Sequence, residues 1–200
     1  MKMATDHEHG MGDEVRGVVI FVAAIWVVFL VSRFVSLDQF GLVPRSWHGL
    51  IGIVTMPFLH ANFRHLLGNT VPLVILLMLL AGSRARSPAI VATIILLGGT
   101  LLWLFGRNGT AAQPTAHIGA SGLIFGLVTF LIVSGITEWR FVPLLIAILV
   151  GFLFGGTLFW GVLPLQNAHV SWDGHLSGAV AGAAAAMLWT SRRRTELAAT

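Results

Sequence analysis

Apolar residues run along this chain in long stretches, not in the short amphipathic stripes of a water-soluble fold. Six stretches come close to the roughly 20 residues that a helix needs to cross the hydrocarbon of a bilayer. They occupy residues 15–37, 63–81, 88–105, 119–136, 141–163 and 174–189. Lipid offers backbone N–H and C=O groups no partner, so each stretch is expected to be helical. The connections differ in kind. Residues 82–87 and 137–140 read as short polar turns. Residues 38–62, with Pro44, Trp47 and Pro57, are too apolar for a free loop and too broken for a span, and are expected to lie in the membrane interface or dip partway into it. Residues 106–118 hold Gly106, Asn108, Gly109 and Pro114, a flexible approach to the fourth span. The pattern predicts an all-α membrane protein. A polar tail (1–14) precedes a six-transmembrane-helix bundle with a semi-embedded first loop (15–190), and a basic tail (191–200) follows it.

Composition agrees with that division. Hydrophobic residues make up 56% of the 200, and charged residues 10%, where a soluble domain carries about 25%. The lipid bilayer is therefore the chain's first partner. Absence of cysteine removes disulfides, thiolate metal sites and cysteine nucleophiles, and absence of tyrosine removes phenol chemistry. The net charge of +4 does not imply nucleic acid, because the basic residues are scattered apart from Arg192, Arg193 and Arg194, which follow an apolar span. The polar start and the long first apolar run do not resemble a cleavable signal peptide. With both termini on the cytoplasmic side, Lys2, Arg16, Arg84, Arg86, Arg140 and Arg192 to Arg194 fall inside, against Arg33, Arg45, Arg64 and Arg107 outside. That excess predicts a multi-pass protein of the cell membrane with both ends cytoplasmic.

Polar side chains inside spans are costly, so each needs a reason. His65 and Asn69 lie four apart in the second span and share one helix face. Ser121 sits in Gly119-Ala-Ser121-Gly122, at the start of the fourth, where glycines let backbone approach and leave the hydroxyl uncovered. His175 opens the sixth, beside Gly174, Gly178 and Gly182, a stripe of small residues at four-residue spacing that permits tight helix contact. If the sixth span packs on the fourth through that stripe, His175 can reach Ser121 and serve as the base its hydroxyl needs. The Ser121 N–H at a helix start is one ready oxyanion donor, and Asn69 and His65 are candidates for others. No carboxylate is placed as a third member, and Asp173 is expected to cap the sixth span. The arrangement predicted is a dyad.

Together these motifs resemble the rhomboid family of intramembrane serine proteases. The residues that carry the likeness are His60-Ala-Asn-Phe-Arg-His65-Leu-Leu-Gly-Asn69, then Gly119-Ala-Ser121-Gly122, then Gly174-His175 with its glycine stripe, in order and each on its own span over about residues 15–190. The resemblance implies Ser121 as nucleophile, His175 as general base, and His65 and Asn69 as oxyanion donors. It implies that His60 organises the loop before span two and that Phe125 packs on the catalytic imidazole, where many relatives carry Tyr. The family tends to show a Trp-Arg pair in its first loop, and this chain has Pro44-Arg45-Ser46-Trp47 instead. The substrates implied are transmembrane proteins with small or helix-breaking residues near the cut. They would reach the dyad sideways between spans two and five. Span five, with Gly151, Gly155 and Gly156, and the loop near 161–172 would be the mobile gate.

Other readings are weaker. Ser121 alone would pass as a helix-packing residue, and His65 and Asn69 could merely stitch helices together. His117 and His169 read as loop residues, and His7, His9 and His48 as solvated or interfacial. No His-Glu-x-x-His spacing or acidic residue well inside a span points to a metal, and no cofactor motif is present. An inactive relative that binds membrane clients is the alternative, and retention of both Ser121 and His175 argues against it. A small transporter would show intramembrane charge and repeated halves, and neither is apparent.

Overall fold

The structure, a computed structural model, describes residues 10–83, 87–109, 115–164 and 171–198, the last seven of these by backbone alone. Its long helices are α1 (Met11–Val31), α3 (Phe63–Ser83), α4 (Ser87–Phe105), α5 (Ser121–Glu138), α6 (Phe141–Gly161) and α7 (Trp172–Ala198). A short α2 (Gly52–Thr55) lies in the first loop. Among the described residues there is no strand, only one bridge pairing Leu42 with His117. Helices α1, α3, α4, α5 and α6 are long and apolar enough to cross a membrane. Helix α7, the sixth expected span, has length to spare at 27 residues but is rich in glycine and alanine, with Asp173 in its first turn and Arg192, Arg193 and Arg194 in its last two turns. What makes it a bundle helix is its packing: it runs along α5 and against α4. The first helix begins at Met11, earlier than the apolar pattern indicates, because Asp13 and Glu14 suit the positive end of a helix.

Helix α5 is the centre of the bundle. Leu123, Ile124, Phe125, Leu127, Val128, Phe130 and Leu131 are all buried. Its contact with α7 is a backbone-to-backbone approach. A Cβ on Gly178 would overlap the Gly122 carbonyl, and one on Gly182 would overlap the Gly126 carbonyl. Thr129 Oγ1 adds a hydrogen bond across the pair to the Ala179 carbonyl (2.8 Å). Helix α6 is the opposite case. Only Ala147 and Val150 are buried on it, and Phe152 on its outer face is 87% exposed.

The expected semi-embedded loop is a chain of short helical turns: Asp38–Phe40, His48–Leu50, α2 and Met56–Phe58. It folds back on itself where Gly49 and Gly52 lie against the backbone of Val43 and Leu42. Arg45 anchors the loop. It takes a left-handed backbone (φ 55°). Its N–H donates to the Trp103 carbonyl (2.9 Å), and its guanidinium donates to the carbonyls of Leu104 (3.2 Å) and Gly106 (2.8 Å). These are the orphan carbonyls at the end of α4, so one arginine both caps that helix and ties down the loop. Trp103 Nε1–H returns a bond to the Ser46 carbonyl (2.9 Å).

Candidate active site

One end of the bundle gathers the starts of α3, α5 and α7 and the finish of α6. Asn62 caps α3: its Oδ1 accepts from the His65 N–H (2.9 Å), and its carbonyl accepts from Leu66 N–H (3.0 Å). That cap fixes the turn that carries His65 and Asn69. Asn69 is buried and its Nδ2–H donates to His60 Nε2 (3.1 Å). This leaves the His60 proton on Nδ1 and orients the amide. The His65 ring meets the His60 ring edge-on, 5.0 Å between centroids at 62°. His60 is buried to 4% exposure. Burial, then the neighbouring His65, push its pKa from 6.5 down to about 4, opposed by the Phe58 carbonyl. His60 is thus a neutral, oriented support for Asn69.

Gly119 joins this cluster to α5. Its φ of +115° is one that L side chains rarely adopt, and a Cβ there would lie 2.6 Å from His65 Nε2 and 3.5 Å from Asn69 Nδ2. Its own N–H donates to the Met56 carbonyl (2.9 Å). Ser121 follows as the first residue of α5, half-buried. The first helical bond of α5 runs from Ile124 N–H to the Ala120 carbonyl, so the Ser121 N–H has no acceptor within the helix. Gly122 packs below it, where a Cβ would meet the Gly174 carbonyl at 3.2 Å.

His175 is held from two sides. Its ring stacks on Phe125, with centroids 4.1 Å apart and planes 7° from parallel. Phe125 is four residues from Ser121 and on the same face of α5. The Nδ1–H donates to the Gly161 carbonyl (3.0 Å), at the C-terminal end of α6. A carbonyl can only accept, so this bond sets the tautomer with a lone pair on Nε2. Glycine at 161 leaves room for the stacked pair, because a Cβ would overlap the Phe125 ring and lie 3.4 Å from His175 Nδ1. Among the described residues no hydrogen bond joins Ser121 to the imidazole.

Two points depart from sequence reasoning. Asp173 does not cap α7. Ser171 does, with its Oγ accepting from Gly174 N–H (3.1 Å) and its carbonyl from His175 N–H (3.0 Å). Asp173 lies inside the first turn and turns instead to Arg107 (2.8 Å to the backbone N–H). Gly161 was not foreseen, since nothing marks a glycine at the end of an apolar run as the partner of a histidine. Among the described residues no atom lies within 4 Å of a would-be Cβ on Gly151, Gly155 or Gly156, so these glycines pack against none of the described helices. His7, His9, His169 and half of the expected gate loop, residues 165–170, lie outside the described residues. Among the described residues no group of three His, Cys, Asp or Glu could hold a metal.

Comparison with known proteins shows the family to which the chain belongs. A family model described as Rhomboid domain matches residues 47–192. Uncharacterized proteins of Mycobacterium bovis and Mycobacterium tuberculosis are each 44% identical over 183 residues, spanning 88% of this chain and 75% of their own length. One from Mycobacterium leprae is 40% identical over 187 residues, spanning 90% of this chain and 74% of its own.

Proposed function

The chain belongs to the rhomboid family and is a multi-pass integral membrane protein, and from that premise we propose that it is a serine endopeptidase that hydrolyses peptide bonds in or near the transmembrane segments of other membrane proteins. Ser121 Oγ attacks the scissile carbonyl carbon while His175 Nε2 takes its proton. The carbonyl oxygen becomes an oxyanion, with donors from the Ser121 N–H, the Asn69 amide and His65. Collapse breaks the C–N bond, and the imidazolium returns its proton to the leaving amine. Water, deprotonated by the same Nε2, then attacks the acyl-enzyme, and the carboxylate product leaves as Ser121 regains its proton.

The observation that carries this reading is the pinning of His175. The Phe125 stack and the Gly161 carbonyl hold its ring beside the face of α5 that bears Ser121, with Nε2 left as the acceptor. The Gly161 carbonyl stands where a triad would have a carboxylate, so a dyad suffices. A substrate would come in sideways between α3 and α6 and unwind, because a helical peptide bond is shielded by its own turn. The sparsely buried face of α6 makes it the helix that yields. Both termini would be cytoplasmic, in the cell membrane.

A serine-reactive fluorescent phosphonate applied to the detergent-solubilised chain tests the chemistry. Labelling of the wild type is expected, absent in Ser121→Ala and strongly slowed in His175→Ala. Equal labelling of Ser121→Ala would remove the assignment. Crosslinking α3 to α6 through engineered cysteines is expected to block cleavage of membrane substrates while sparing phosphonate labelling.

A further inference from the structure

We propose that Asp173 and Arg107 form a polar latch that positions His175 relative to the Gly119–Ser121 turn, a role that rests on the protease reading above. The two halves of the site arrive on different segments. Asp173 stands two residues before His175, and His117 stands two residues before Gly119. The latch joins these approaches directly. Asp173 Oδ2 accepts from the Arg107 N–H (2.8 Å), and Oδ1 accepts from its guanidinium (3.2 Å) and from Ser171 Oγ (3.1 Å). His117 closes the ring: Nε2–H donates to the Arg107 carbonyl (3.1 Å), and Nδ1 lies 2.7 Å from Ser171 Oγ. Backbone bonds in both directions then tie His117 to Leu42 of the first loop, at 2.8 and 3.0 Å.

Burial decides what such a cluster is for. Asp173 is 6% exposed and His117 3%. A buried carboxylate is costly to desolvate, and its partners repay that cost only in one arrangement, so the cluster contributes geometry more than net stability. Glycine contacts between α5 and α7 hold the two helices together below the site. The latch holds their approaches above it. With both in place, the imidazole has little freedom to drift from the hydroxyl. Asp173 and Arg107 touch neither reacting atom, so they are positioning residues. A displacement of about 1 Å at such a pair is enough to slow chemistry by one to two orders of magnitude.

The test is phosphonate acylation of the full chain in detergent, read as a rate per labelled site and as a final stoichiometry. A purely structural role would lower the stoichiometry and leave the rate per site alone. Asp173→Asn is expected to acylate about ten-fold more slowly at unchanged stoichiometry. Arg107→Lys keeps the charge and the backbone bond and is expected to stay within about two-fold of wild type. The double variant Arg107→Ala with Asp173→Asn should be no slower than the slower single variant, because both break one device. A wild-type rate per site in Asp173→Asn, or multiplying effects in the double variant, would overturn the latch alone. Absence of labelling at Ser121 in the wild type would remove the protease reading, and the latch with it.

Discussion

Gly178→Ala adds one methyl group at the point where α7 and α5 touch backbone to backbone. Its Cβ would overlap the Gly122 carbonyl oxygen, and would sit 2.7 Å from the carbonyl carbon and 3.0 Å from Cα. Ordinary contacts begin near 3.4 Å, so α7 must retreat from α5 by more than about 1 Å. All three atoms are backbone, and no rotamer change can relieve them. Overpacking of this kind costs about 1–3 kcal/mol, which outweighs the roughly 1 kcal/mol that alanine gains over glycine inside a helix. The retreat opens the helix pair that carries Ser121 and His175, where 1 Å is worth about 100-fold in rate. Gly151→Ala is the matched control, because its Cβ meets nothing within 4 Å and it should keep wild-type stability or gain slightly. Thermal unfolding in detergent and the phosphonate acylation rate are the two readouts. The reasoning is refuted if Gly178→Ala unfolds and acylates like the wild type, or if Gly151→Ala suffers equally.

Asn69→Ala removes the proposed oxyanion donor that His60 orients, and its acylation rate should fall about 100-fold, more than the stability lost by leaving the buried His60 Nε2 without its partner, about 1–3 kcal/mol, would account for in folded protein; a rate per folded site within a few-fold of wild type would take Asn69 out of the mechanism. Gly161→Ala places a methyl against Phe125 and His175 Nδ1, and acylation should slow about ten-fold, whereas normal acylation would mean that the carbonyl contact is dispensable. His60 gives the pH prediction. Its folded-state pKa of about 4 lies below the unfolded value of 6.5. Its contribution to stability is therefore complete above pH 6.5 and is lost as pH falls toward 4, by about 3 kcal/mol at most. Unfolding followed from pH 7 to pH 4.5 should show that loss in the wild type and a flatter profile in His60→Gln; matching profiles would assign the acid sensitivity elsewhere.

The parts of this molecule that could be read from sequence are those where a residue violates its surroundings. A histidine or asparagine in a lipid-length apolar run is expensive, so His65, Asn69 and His175 stand out, and the glycine stripe of α7 announces the close approach that the structure contains. The features that escaped are the ones that violate nothing locally. Gly161 looks like any glycine closing an apolar helix, and its carbonyl has no side chain to signal a role. The Arg107–Asp173 contact spans 66 residues, and neither residue sits where charge is forbidden. Arg45 reads as a topology charge, though its guanidinium is spent on the end of α4. Asp173 was expected to cap because acidic residues favour helix starts, but Ser171 already occupies the capping position and frees the carboxylate for Arg107.

Helix polarity gives these scattered details one direction. Helices α3, α5 and α7 all begin at the end of the bundle that holds the site, at Phe63, Ser121 and Trp172. Each start carries the positive end of a helix dipole, worth up to about 2 kcal/mol per helix toward a partly buried anion. In the proposed reaction the charge that develops on the tetrahedral oxyanion would be such an anion, and Asn69, His65 and the Ser121 N–H, the donors proposed for it, lie at that end. Three helices, α1, α4 and α6, finish at the same end and would oppose that field. At the end of α1, Ser32 Oγ donates to the Phe29 carbonyl (2.7 Å). The end of α4 is neutralised by the Arg45 guanidinium on the carbonyls of Leu104 and Gly106. The end of α6 is directed at His175 Nδ1, where a negative pole favours the imidazolium formed as the proton leaves Ser121. On the proposed mechanism, the bundle would thus offer a positive field to the oxyanion and a local negative one to the base without placing a carboxylate on the imidazole. An Arg45→Gln substitution isolates the first half of that division: it should slow acylation while leaving the His175 tautomer, seen in the imidazole nitrogen NMR shifts, as it was. A shift in tautomer with an unchanged rate would contradict the assignment.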